Sequence, residues 1–175
     1  MLFNSLEFFV FLPIVFILYW FVFKNKLVQQ NKLLLVASYI FYGWWDWRFL
    51  GLIIFSSFID YSIGVYLSKT DNEKKRRLLV LTSLLINLGF LGFFKYYNFF
   101  LDSLSIDRLD IILPVGISFY TFQTLSYTID VYRKKIEPTK DLIAFFAFVS
   151  FFPQLVAGPI ERATNLLPQF LSKRS

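Results

Sequence analysis

The sequence contains neither cysteine nor histidine among its 175 residues. Without cysteine there is no disulfide framework, so cysteine usage says nothing about the redox compartment. The two absences together exclude a Cys/His metal site and a Cys–His nucleophile pair within these residues. Any chemistry of this chain must therefore use carboxylates, hydroxyls, lysine, arginine or the backbone.

Charge is also scarce. Charged residues form 17% of the chain, whereas 57% is hydrophobic and 22% aromatic, and the mean hydropathy is +0.57. A soluble domain of this length would not need 24 phenylalanines, many of them in blocks such as FFVFLPIVFILYWFVF at 8–23. Apolar stretches of bilayer length predict transmembrane helices. We therefore predict an all-α, polytopic membrane protein.

Apolar and polar segments alternate along the chain. The six apolar segments are 8–23, 33–47, 49–67, 78–94, 111–131 and 142–160. The loops 24–32, 68–77 and 133–141 hold 12 of the 18 Lys and Arg residues. Basic loops stay in the cytoplasm, so we predict a multi-pass protein of the inner (plasma) membrane with its N-terminus outside. The net charge of +6 follows from these loops and does not indicate a nucleic-acid partner.

Two outer segments complete the predicted topology. The first, around 46–48, lies within the aromatic stretch YIFYGWWDWRF at 39–49. It predicts a tight hairpin with an aromatic belt at the membrane surface, although a sugar-binding platform would use the same side chains. The second is 95–110, with the acidic residues Asp102, Asp107 and Asp110. No repeat or low-complexity linker divides the chain, so we predict a single membrane domain over 1–175.

The segment LPVGISFYTFQTLSYTIDVYR at 113–133 carries a polar stripe. Pro114 suits the first turn of a helix, where its missing N–H costs little. Helical residues follow one another at about 100°, so five residues fall within one arc of about 80°: Gly116, Tyr120, Gln123, Tyr127 and Asp130. A separate strip on the same helix is formed by Thr121, Thr124 and Thr128. Such a stripe must face protein or water. It indicates either the wall of a polar tunnel or ordinary hydrogen bonding between helices.

Apart from Asp46 at the predicted outer turn, two carboxylates fall within predicted membrane segments. Asp60 lies about 15 Å along its helix, near the membrane centre, where a lone carboxylate is costly. Ser56 and Gly64 share its face, but the sequence shows no obvious cationic partner. Asp130 is one turn from Arg133, so an ion pair at the cytoplasmic edge is expected there.

Helix breakers interrupt the last apolar segment in FFPQLVAGPIER at 151–162. From 142 to 155 an uninterrupted helix would cover only about 20 Å of a hydrocarbon core about 30 Å thick. Pro153 and the Gly158–Pro159 pair then end it. Broken backbone at membrane depth needs protein or a cavity around it. We expect this stretch to bend into a cavity, with Gln154 offering hydrogen bonds, or else to be a hinge or a helix end.

Three stretches resemble a known family: GFFKYYNFF at 92–100, the segment 113–133 and SFFPQLVAGPIER at 150–162. They are similar to the N-terminal part of bacterial membrane-bound O-acyltransferases, in particular the alginate O-acetyltransferase branch. The resemblance implies a ring of helices around a polar tunnel, with acetyl-CoA as cytoplasmic donor and no bound cofactor. It also implies an extracytoplasmic polysaccharide acceptor and an extracytoplasmic protein partner.

The sequence departs from this family in one respect. The family's catalytic histidine lies in a much later helix, and this chain has no histidine. Acyl transfer to a hydroxyl needs a general base, a task that suits neutral imidazole. We therefore expect this chain to be an N-terminal fragment that is inactive alone, and we predict no catalytic residue within it. The alternatives are a non-enzymatic membrane subunit, a small transporter that uses the stripe as a pathway, or relic sequence.

Overall fold

The computed structural model describes residues 3–97, 99, 112–159 and 161–174, and these ranges contain helices and connections without a strand. The α-helices are α1 Leu6–Ile17, α2 Leu27–Asp46, α3 Leu50–Lys69, α4 Glu73–Leu91, α5 Ile117–Tyr132, α6 Leu142–Val149, α7 Phe152–Ala157 and α8 Ala163–Leu171. Asp102, Asp107 and Asp110, with most of the predicted outer segment 95–110, lie outside the described residues. The all-α prediction is confirmed.

Helices α1 and α4 each continue into a π-helical turn, Leu18–Val22 and Gly92–Tyr96 respectively. Helix α1 begins where the Ser5 hydroxyl accepts a hydrogen bond from the Phe8 N–H (3.2 Å). Most of its side chains are exposed, which suits a helix surrounded by lipid.

Helices α2 and α3 form a pair joined by one short turn. Each has 20 residues and is therefore about 30 Å long, enough to cross a hydrocarbon core. The stretches Leu27–Lys69, which contains the turn, and Glu73–Tyr96 are apolar enough to span a membrane.

The turn between α2 and α3 begins at Asp46, whose φ of −160° and ψ of 108° leave the helical region. Its carboxylate accepts a bond from the Arg48 N–H (3.0 Å) and pairs with the Arg48 guanidinium (2.6 Å). A 3₁₀ turn, Trp47–Phe49, then leads into α3. Trp44 and Trp47 are exposed here. The aromatic belt and the sugar-binding platform both stay predictions.

Helix α5 lies at the centre of the fold and packs against α3, α4, α6 and α8. It begins at Ile117, one turn later than the placement of Pro114 predicts, because Gly116 adopts a left-handed conformation with φ of +75°. A Cβ at Gly116 would lie 2.9 Å from the Leu155 carbonyl oxygen, so this close approach also favours glycine.

The last apolar segment breaks earlier than predicted. Helix α6 ends at Val149, and Pro153 lies in the first turn of α7 instead of ending the helix. The reason is steric, because a proline in a continuous helix clashes with the carbonyl four residues before it, here that of Val149. Helix α8 then returns to the start of α2, where the Asn31 amide donates to the Phe170 carbonyl (2.7 Å).

Arg76 holds the ends of two helices together, although its side chain is buried. Its guanidinium donates to the carbonyls of Leu67 (2.6 Å) at the end of α3 and Tyr132 (2.7 Å) at the end of α5. It also lies over the Tyr132 ring. A cation at two helix C-termini satisfies free carbonyls and complements both helix dipoles.

Candidate functional site

Asp60 is fully buried between α3, α4 and α5. Its carboxylate accepts hydrogen bonds from the Ser83 hydroxyl, the Asn87 amide (2.8 Å) and the Thr128 hydroxyl (3.1 Å). All three donors are neutral. In the described ranges the salt bridges are Arg48–Asp46 and Arg77–Glu73, so no cation pairs with Asp60 there.

Asn87 extends this arrangement into a cluster shared by three helices. Its amide also donates to the Ser83 carbonyl (3.0 Å), and its side-chain oxygen accepts a bond from the Ser56 hydroxyl (2.6 Å). The members form pairs four residues apart, namely Ser56 and Asp60 on α3, Ser83 and Asn87 on α4, and Thr124 and Thr128 on α5. We call these six residues the Asp60 cluster. It satisfies a buried carboxylate, which lipid could not do at the membrane depth predicted for Asp60.

The sequence pattern indicates Asp60 and Ser56 but not Ser83 and Asn87. The pattern also sets the threonine strip of α5 apart from the polar stripe and shows no partner for that strip. The missed signal was the recurrence of small polar residues at a spacing of four on three apolar helices, because residues so spaced share one helix face.

The predicted stripe of α5 faces α6 and α7. Gln123 is buried, and its amide donates to the Phe148 carbonyl (2.8 Å), with the Gln154 side-chain oxygen farther off at 3.4 Å. Gln154 in turn donates to the Pro159 carbonyl (3.1 Å). These bonds bring Gln123 and Gln154 together across the helix break, so Gln154 bonds to protein, and its expected place in a cavity wall stays a prediction.

The stripe tyrosines are closed in the core, with Tyr120 only 2% exposed and Tyr127 fully buried. The Tyr127 ring centroid lies 4.6 Å from that of Phe145. A Cβ at Gly64 would lie 2.7 Å from the Tyr127 hydroxyl oxygen, so α3 and α5 approach closely at this point. Gly116 lies outside the stripe because it caps the helix. In the part of the chain described, Tyr120, Tyr127 and Gln123 face packed protein, and the tunnel stays a prediction.

Asp130 lies at the other end of the stripe and is 5% exposed. The ion pair expected between Asp130 and Arg133 is wrong, because the salt bridges of the described residues do not include it. Arg133 follows the end of α5 and its side chain is exposed. The two side chains therefore differ in environment despite their helical spacing.

The break between α6 and α7 is hydrogen-bonded to neighbouring helices, and Phe151, Phe152 and Pro153 also line a cavity of about 260 Å³. The Phe152 N–H, one of the free donors at the start of α7, donates to the Ser38 hydroxyl of α2 (3.2 Å). Gln123 meets a carbonyl at the end of α6 in the same way. Non-helical backbone at membrane depth requires such partners.

This arrangement supports packing rather than catalysis. Asp60 is enclosed by its three donors, so a substrate hydroxyl cannot reach it as a general base must. Gln123 and Gln154 carry no titratable group. In the ranges with described structure, no group of three or more acidic residues could hold a metal ion.

The chain is similar in sequence to several curated bacterial proteins. A probable alginate O-acetylase of Pseudomonas syringae pv. tomato is 41% identical over 97% of the chain, and one of Pseudomonas aeruginosa is 42% identical over 97%. The peptidoglycan O-acetyltransferase of Helicobacter pylori is 33% identical over the whole chain. The chain covers only 35%, 34% and 40% of these relatives, about a third of their length. No protein-family model and no solved structure matches.

Proposed function

The chain belongs to the membrane-bound O-acyltransferase family, and from that premise we propose that it forms part of an enzyme that acetylates an extracytoplasmic polysaccharide. The observation that carries the proposal is the identity of about 40% along 97% of the chain to alginate O-acetylases. The donor in this proposal is acetyl-CoA on the cytoplasmic side. A protein partner outside the membrane receives or passes on the acetyl group.

The described residues supply the scaffold of this enzyme rather than its base. Acyl transfer to a sugar hydroxyl needs a group that removes the hydroxyl proton. The chain has no histidine, and Asp60 is sealed inside three helices. The chain alone is therefore inactive, and the catalytic base comes from sequence that the relatives have beyond the matched third.

The test begins with sequencing the locus beyond codon 175. The chain alone and the chain with any continuation are then expressed and incorporated into membrane vesicles. Transfer of labelled acetyl from acetyl-CoA to polysaccharide is measured for both. We expect transfer only from the longer product, and we expect replacement of its membrane histidines by alanine to abolish transfer while its amount in the membrane stays the same.

Two outcomes would count against the proposal. Acetyl transfer by the 175-residue chain alone would show that the base lies within it. A locus without continuation, together with solute uptake by vesicles that hold the short chain, would favour the transporter reading instead.

A further inference from the structure

Arg174 lies beside α8 and is held in place from several sides. Its Nε donates to the Gln169 carbonyl and its Nη2 to the Asn31 side-chain oxygen, both at 2.9 Å. The guanidinium carbon also lies 5.1 Å from the Phe170 ring centroid and 5.6 Å from that of Tyr19. These contacts fix the plane of the guanidinium before any ligand arrives.

One nitrogen of this group has no partner. Nη1 is buried and makes no hydrogen bond within the described chain. No carboxylate pairs with Arg174 there either, since the salt bridges of those residues involve Arg48 and Arg77. A buried charged donor without an acceptor is costly. Nη1 itself is enclosed, so an anionic oxygen that offsets this charge would contact the guanidinium where Arg174 lines an adjoining cavity.

Two neighbouring cavities with shared walls lie beside this guanidinium, and we call them together the cleft, with its mouth next to Arg174 and its inner part farther away. Its mouth, about 270 Å³, is lined by Arg174 together with the polar residues Gln169 and Ser172. Its inner part, about 260 Å³, shares the walls Tyr19, Leu34 and Phe151 with the mouth. The inner walls are completed by Leu12, Val15, Phe16, Phe152 and Pro153, so this part is almost wholly apolar. From Leu12 to Tyr19 the cleft follows α1 and its π-helical turn for about 10 Å.

We propose that this cleft binds one anionic phospholipid, with its phosphate on Arg174 and an acyl chain between α1 and α7. Charge complementarity selects the head, because an oriented guanidinium with no carboxylate partner among the described residues complements a phosphate. The apolar inner cleft selects a molecule with a hydrocarbon tail. The site lies at the start of α2, the end that the basic loops predict to face the cytoplasm, where anionic lipids concentrate.

The test is lipid retention by the purified 175-residue chain, measured by native mass spectrometry from nanodiscs. The nanodiscs contain either phosphatidylglycerol or phosphatidylcholine with identical acyl chains. We expect retention of phosphatidylglycerol alone, and at least about tenfold less with Arg174→Gln, because a charge-assisted hydrogen bond is lost. Lys173→Gln removes the same charge from an exposed side chain and should retain the lipid.

A second pair of variants tests the tail without touching Arg174. Leu12→Trp should fill the inner cleft and release the lipid. Val10→Trp, an exposed position on α1 that lines neither part of the cleft, should not. Inorganic phosphate alone should not raise the melting temperature of the purified chain.

Three results would overturn the proposal. Equal loss with Arg174→Gln and Lys173→Gln would indicate general attraction to anionic lipid. Unchanged retention with both Arg174→Gln and Leu12→Trp would place the lipid elsewhere. Stabilisation by inorganic phosphate equal to that by phosphatidylglycerol would identify a simple anion site. Because these measurements need no acetyl transfer, they stand apart from the proposed enzyme activity.

Discussion

At the residue scale, Gly64 is the position where α3 leaves room for the Tyr127 ring of α5. A methyl group there would lie 2.7–2.8 Å from the Tyr127 hydroxyl oxygen and a ring carbon. Because Tyr127 is fully buried, the ring has little space to move. We expect Gly64→Ala to destabilise the fold by about 1–3 kcal/mol, the usual cost of overpacking.

The same helix provides a matched control for this prediction. Gly51→Ala adds its methyl where no atom lies within 4 Å, so it should be neutral or slightly stabilising because alanine favours helix. Tyr127→Phe in the Gly64→Ala background should restore part of the loss by removing the hydroxyl oxygen. Thermal unfolding in detergent measures all three. Equal stability of the two alanine variants would contradict the close approach of α3 and α5.

Asp60 allows a second prediction at this scale. Asp60→Ala leaves three donors without their acceptor, those of Ser83, Asn87 and Thr128. We expect it to lower the free energy of unfolding by about 2 kcal/mol. Asp60→Asn keeps the shape and one acceptor oxygen, so it should lose less. Ser62→Ala serves as the control, because that hydroxyl donates to the Phe58 carbonyl of its own helix. A loss in Asp60→Ala no larger than in Ser62→Ala would show that the Asp60 cluster does not stabilise the fold.

At the scale of the element, the broken pair α6 and α7 depends on bonds from other helices. Gln123→Leu removes the donor to the Phe148 carbonyl. We expect faster hydrogen exchange at the amides of Phe152–Ala157 and no change within α4, which lies outside this contact. Gln29→Leu, an exposed glutamine of α2, should leave exchange at α7 unchanged. Unaltered exchange with Gln123→Leu would mean that the break is held by packing alone.

Sequence patterns predict these elements unevenly, for physical reasons. The apolar runs predict α1 to α4 well, because a helix in lipid must bond its own backbone and needs a known length. The sequence predicts the break at Pro153 rather than after Val149, since the steric effect of a proline falls on the carbonyl four residues before it. The partners of Asp60 could not be read from one helix at a time. They depend on which faces of α3, α4 and α5 meet.

At the scale of the whole molecule, the absence of cysteine allows a direct test of the predicted topology. Single cysteines at Trp47, Lys74 and Lys140 lie in one predicted outer turn and two predicted cytoplasmic loops, all exposed. We expect an impermeant thiol reagent to label Trp47→Cys in intact spheroplasts. It should label Lys74→Cys and Lys140→Cys only after lysis, because basic loops stay inside. The wild-type chain is the unlabelled control. Labelling of the basic loops in intact spheroplasts would show that the orientation is opposite to the predicted one.

The central position of α5 has a consequence for how the protein enters the membrane. The apolar helical stretches of the described chain are Leu6–Val22, Leu27–Lys69, Glu73–Tyr96 and Leu142–Leu155, and α5 is not among them. Its threonines, Gln123 and Asp130 make it a poor substrate for insertion on its own. Helices α3 and α4 precede it during synthesis and offer Asp60 to Thr128. We therefore expect α5 to enter the membrane after α3 and α4 and to pack at once against the polar surface that these two helices provide.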